Sequence, residues 1–128
     1  MTRTDKGGST TELKGVGAIL RNAALELHDV TETFPWGERA FKVKGKTFLF
    51  LRADDDVSFS VKLPRSAVQA LALPFAAPTH YGLGKHGWIT INSPKRTNAL
   101  LRKQFVDWVL ESYEANAHKP KKKAVRKS

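Results

Sequence analysis

The residues of this chain best placed to do chemistry gather between Tyr81 and Ile91, Y-G-L-G-K-H-G-W-I-T-I, where three glycines space out a lysine, a histidine and a tryptophan. Gly82, Gly84 and Gly87 spell G-x-G-x-x-G, the pattern that cradles a pyrophosphate when it follows a strand and opens a helix. Here the glycines lead into Trp88-Ile89-Thr90-Ile91, alternating and β-branched. A strand is therefore expected next, with no helix N-terminus to receive phosphate. The glycine loop of protein kinases does lie between strands, but it works with a β3 lysine motif, an H-R-D loop and D-F-G, none of which is present. The spacing predicts a glycine-flanked tip that displays Lys85 and His86, with Tyr81 and Trp88 anchoring it to the core.

A second candidate surrounds Gly45. Lys42, Lys44 and Lys46 bracket it, and Lys42 and Lys44 alternate with Phe41 and Val43, so they face away from the apolar side. A basic hairpin tip of this kind can enter a groove and put ammonium groups on phosphates. Lysines near a turn can equally serve to blunt a sheet edge and keep it soluble. Lys62 and Arg52 occupy strand positions facing the open side of a sheet, and Lys121, Lys122 and Lys123 form the densest run of a basic tail. Trp36 and Trp88 could stack on bases if exposed, or seal the sheet against helices.

An enzyme would have to use His80, Tyr81 and His86 with Asp56 or Glu38. His80 and Tyr81 are neighbours in an extended stretch and point to opposite sides, which disfavours a joint acid–base pair. There is no cysteine, no G-x-S-x-G and no H-E-x-x-H, so no activated nucleophile or metalloprotease helix is visible. The triplet Asp54-Asp55-Asp56 reads as a turn, since the spaced ligands of a calcium loop are missing. No catalytic residue, metal or cofactor is expected.

These residues need elements to position them. Residues 1–9 are expected to be a flexible end, residues 10–117 a single domain, and residues 118–128 a disordered Lys-rich tail. Ser9 and Glu12 form a capping box that opens a helix over Thr10 to His28, with Leu13, Val16, Leu20, Ala24 and Leu27 on its apolar side. His28 near its end suits the helix dipole. From Val30 to Leu63 the period switches to alternation, with turns at Pro35-Trp36-Gly37, Lys44-Gly45 and Asp54–Asp56. Strands are predicted over Thr31–Phe34, Arg39–Val43, Lys46–Arg52 and Val57–Leu63. In the third, Phe48 and Phe50 share one face and Thr47, Leu49 and Leu51 the other, marking a central strand. A short helix begins at Leu63-Pro64 with Val68, Leu71 and Ala72 as its stripe, and ends at Leu73-Pro74. Phe75 to Thr79 reads as a loop, Trp88 to Ile91 as the last strand, and Thr97 to Asn116 as a helix presenting Leu101, Phe105, Trp108, Val109, Ser112 and Tyr113. The fold class is α+β: an antiparallel meander of about five strands with three helices mainly on one face, in the order α-β-β-β-β-α-β-α.

Composition narrows the partners. The chain has 128 residues, no cysteine and a net charge of +10. Six positive charges fall in the last ten residues, whereas residues 13–118 hold fourteen Lys/Arg against ten Asp/Glu. A mildly basic body with a strongly basic tail suits a polyanion, because each neutralised phosphate releases counterion. The cysteine-free composition, with no signal-like or membrane-length apolar run, leads to the expectation of a soluble, cytoplasmic protein.

The order of elements then meets a set of motifs that resembles the MmcQ/YjbR family: Pro35-Trp36-Gly37; Phe41-x-Val43-x-Gly45-Lys46-x-Phe48; Ser60-Val61-Lys62; Pro78-x-x-Tyr81 with Lys85-His86-x-Trp88-Ile89; and Trp108-Val109-x-x-Ser112-Tyr113. The resemblance spans residues 13 to 115. It implies a CyaY-like α+β fold and a DNA-binding role through a double wing of hairpins. The chain departs from the family where the usual Asn-Lys is Gly84-Lys85, and the Lys-rich tail lies outside the family pattern. Iron binding by analogy with frataxin would need an acidic first helix, where only Glu12, Glu26 and Asp29 are found. The expectation is a non-enzymatic nucleic-acid-binding protein, with DNA as partner, largely indifferent to sequence. It would use Lys42, Lys44, Lys46, Arg52, Lys62, Lys85, His86, Lys121, Lys122 and Lys123; the alternative is a protein-interaction module.

Overall fold

The computed structural model describes residues 15–34, 38–53, 56–80 and 82–117. The Ser9/Glu12 capping box, Pro35-Trp36-Gly37, Asp54, Asp55, Tyr81 and the basic tail lie outside the described residues. Helix α1 spans Gly15–Leu25. Strands β1 (Val30–Thr33), β2 (Arg39–Val43), β3 (Lys46–Ala53) and β4 (Val57–Lys62) follow, then α2 (Ala67–Leu71), β5 (Ala76–Pro78), a 3-10 turn over Leu83–His86, β6 (Trp88–Asn92) and α3 (Ala99–Ala117).

The six strands form one antiparallel sheet in the order β1-β2-β3-β4-β6-β5. Expectation and structure agree on class and element order, with one strand more. Ala76–Pro78 adds to the outer edge of β6, where Pro78 is tolerated because an edge strand need not donate on both sides. Its brevity and proline hid it.

Alternation divides the sheet into two faces. Phe41, Leu49, Leu51, Phe59, Val61, Ile89 and Ile91 stand in cross-strand register and are at most 2% exposed. Helix α3 packs there, with Phe105 5.0 Å from Phe59, and Leu20 and Ala24 of α1 join the same core. Phe48 breaks the alternation. Phe41 pairs with Leu49 but Lys42 pairs with Thr47, so Phe48 is an extra, bulged residue in β3. The bulge turns Phe48 to the helix side beside Leu49, both fully buried, and leaves Phe50, which alternates with Leu49 and Leu51, alone on the other face. The expected Phe48/Phe50 pairing on one face is corrected by that one added residue.

A bulge leaves its neighbour strand without a ladder partner, and α3 supplies one. Ser112 Oγ donates to the Phe48 carbonyl at 2.5 Å and accepts from the Lys62 amide at 2.8 Å. Tyr113 packs edge-on against Phe48 and donates to the His28 carbonyl at 2.8 Å, so the Ser-Tyr pair ties the helix to the sheet and to the end of α1. His28 lies beyond the last helical residue, Leu25, and contributes a carbonyl acceptor rather than a dipole charge.

Two further corrections concern helices. The expected stripe of α2 is inverted: Ala70 is buried while Val68 is 84% exposed. That helix is also shorter than expected, and the two residues before it are held by α3. Glu111, only 6% exposed, accepts from the backbone N–H of Arg65 and Ser66 and from the Ser66 hydroxyl at 2.7–3.1 Å. Helix α3 starts when Asn98 Oδ1 accepts the Leu101 amide at 2.8 Å.

Candidate nucleic-acid interface

The strand directions sort every loop to one of two ends of the sheet. β2 ends and β3 begins at the Lys44-Gly45 turn; β4 ends at Lys62, opposite Trp88, where β6 begins; β5 ends at Pro78. The Lys44-Gly45 turn and the 3-10 turn therefore lie at the same end, with the end of β4 between them. Three strand spacings separate the centres of these two hairpins, roughly 14 Å at about 4.8 Å per strand. Helix α3 runs towards this end too, since Phe105 meets Phe59 while Ser112 meets Phe48 and Lys62. Ala117, where the Lys-rich tail departs, is five residues and roughly 7 Å of helix beyond Ser112.

Each tip has a local reason for its shape. Lys44 and Gly45 have φ of 54° and 79°, the doubly positive pair of a two-residue hairpin turn, which matches the strand twist. The turn exposes Lys44 and Lys46, and Lys42 stands half-buried two residues earlier on the face that carries no helix among the described residues, hereafter the helix-free face. In the second tip Gly82 and Gly87, both left-handed, flank the single turn Leu83–His86 and hold Lys85 and His86 in solvent. Gly84 is held by packing, since a Cβ there would sit 2.7 Å from Pro78 Cβ and 3.1 Å from the Thr79 carbonyl. An asparagine could not occupy this position without moving β5. The departure from Asn to Gly is thus part of how this tip folds.

Lysines at this end stand out by what they lack. Among the described residues, Lys42, Lys44, Lys46, Lys62 and Lys85 form no ion pair. Many of the cations elsewhere are paired: Arg21 and Arg39 with Glu32, Arg52 with Glu38, Arg65 with Glu111, Lys95 with Asp56 and Lys103 with Asp107. Arg52 is on the expected helix-free face, but near the far end of β3 and 3.9 Å from Glu38. It is not brought together with the other candidates.

Trp88 corrects another expectation. Its register partner is Lys62, on the parity opposite Ile89 and Ile91, so it seals nothing against the helices. It is 8% exposed and packs beside Phe50, ring centroids 5.6 Å apart, on the helix-free face. The alternation of Phe50 with Leu49 and Leu51, and of Trp88 with Ile89 and Ile91, already puts both rings on this face; what sequence reasoning missed is the long-range register of β3, β4 and β6 that brings this pair together. Missed as well was the hydroxyl row beside it: Ser60 to Thr90 at 2.7 Å and Thr79 to Thr90 at 2.9 Å.

Among the described residues, the candidates of the catalytic alternative are not brought together. Glu38 and Asp56 sit at the far end with Arg52 and Lys95, whereas exposed His80 and His86 sit at the tip end. Among the described residues no three His, Asp or Glu side chains gather as a group that could hold a metal ion, and no helix is long and apolar enough to cross a membrane.

The geometry defines a class: an α+β domain with helices on one sheet face and two basic hairpin tips at one end. A family model described as YjbR matches residues 25–115, and the chain belongs to the MmcQ/YjbR family. Comparison with curated proteins finds no match.

Proposed function

We propose that the tip end of the sheet binds nucleic acid, DNA in the first instance, through its phosphates and with little regard to sequence. The observation that carries this reading is the set of unpaired lysines, Lys42, Lys44, Lys46, Lys62 and Lys85, gathered at one end of a sheet whose other basic residues are largely neutralised. Contacts to phosphate alone fix position without reading bases. His86 adds a donor at the second tip. Lys121, Lys122 and Lys123 follow a helix that ends at the same place, so tail and tips can act on one polyanion.

The DNA-binding role that the resemblance to the MmcQ/YjbR family implies is a further support for this reading. A gel-shift titration of the full chain and of a chain ending at Ala117 tests it. Both should shift duplex DNA at low salt, the shorter one more weakly and with a shallower salt dependence. No shift by either would sink the proposal, and a shift by the full chain alone would assign binding to the tail instead of the fold.

A further inference from the structure

The helix-free face of the sheet carries a second kind of chemistry. Phe50 stands half-buried on β3 in the row Ala40, Phe50, Ser60, Thr90. Its diagonal neighbours towards the tips are Lys42 on β2 and Lys62 on β4, one on each side. Such diagonal positions are about 7–8 Å apart, within reach of a lysine side chain. Trp88 flanks the Phe50 ring on the same face, centroids 5.6 Å apart and planes tilted by 50°, and lies directly across from Lys62. The Ser60, Thr90 and Thr79 hydroxyls continue the row towards β5. An aromatic ring with a second ring at its side, an unpaired ammonium on either flank and hydroxyls in line matches what an unpaired nucleotide needs: a π-face for the base and cations for the flanking phosphates. A duplex would offer the phosphates but keep its bases stacked inside.

Resting on the nucleic-acid reading above, we propose that this face takes single-stranded nucleic acid, with a base stacked on Phe50 and the adjoining phosphates on Lys42 and Lys62. The tips then serve any polyanion backbone, and Phe50 gives the sheet its preference for an unpaired strand.

The test is fluorescence anisotropy of the full chain with a labelled oligothymidylate and with a labelled duplex of the same length, for wild type, Phe50→Leu and Phe50→Tyr. Leucine keeps an apolar contact for Trp88 and tyrosine keeps the ring; circular dichroism and thermal melts establish that both variants fold. Phe50→Leu should weaken single-strand binding about tenfold while leaving duplex binding within about twofold, and Phe50→Tyr should restore it. Equal loss on both probes, or no loss on either, would overturn the proposal while leaving the tip interface standing. Binding of neither probe by wild type would overturn the nucleic-acid reading itself, and this inference with it.

Discussion

Lys44 meets two demands at once. It is a charged side chain at the point of a hairpin, and it holds a left-handed backbone, φ 54°, that costs a non-glycine residue roughly 1 kcal/mol. Asparagine tolerates that conformation, and Asn-Gly is a favoured two-residue hairpin turn. Lys44→Asn is therefore expected to melt at the same temperature as wild type or up to a few degrees higher while binding DNA more weakly. A drop in melting temperature would contradict the turn assignment. Glu32 illustrates the opposite use of charge. Burial by itself would raise its pKa, but hydrogen bonds from Arg21 and Arg39, at 2.8–3.0 Å, and the charges behind them hold it below the ordinary glutamate value. A carboxylate so depressed stabilises the fold above its unfolded pKa, and that stability fades as pH falls through about 4.3 and below. The melting-temperature advantage of wild type over Glu32→Gln should be full at pH 7 and shrink steadily below pH ~4; a gap that stays constant would refute the assignment.

At the scale of elements, the end of α3 does more than pack. Ser112 supplies the donor and acceptor that the bulge at Phe48 takes away from β3 and β4. Ser112→Ala would leave a buried carbonyl and a buried amide without partners, and a loss of at least about 2 kcal/mol in urea denaturation is expected; a loss below half a kcal/mol would mean that the ladder closes without it. This element also shows where sequence reading succeeds and where it stops. The apolar side of α3 was legible because Leu101, Phe105, Trp108 and Val109 repeat at helical spacing. The same holds for the Lys44-Gly45 turn, whose residue types suit only a few backbone conformations. The bulge was not legible, because one extra residue in a strand changes no residue type. Its consequence, Phe48 buried on the helix side against Tyr113, was hidden with it. The inverted stripe of α2 was equally out of reach, since the chain entering it is held from α3, with Ser66 bound to Glu111 45 residues away.

For the whole molecule, antiparallel topology places two hairpins that are distant in sequence, one near Lys44 and one near Lys85, at the same end of one sheet. The sequence showed each tip singly. Their convergence required the position of β6 beside β4, which follows from long-range pairing and not from any local pattern. Arg52, chosen on the same local grounds as Lys62, is carried instead to the far end and into contact with Glu38. The central claim is that the converged lysines, rather than net charge alone, form the nucleic-acid interface. The most direct measurement is the salt dependence of duplex DNA affinity for the full chain and for a Lys44→Asn, Lys46→Gln, Lys85→Gln variant with the tail intact. If the tips sit on phosphates, the slope of log K against log salt should fall by about 0.9 for each lost contact, so by roughly two to three in all. A variant with unchanged affinity and slope would contradict the account.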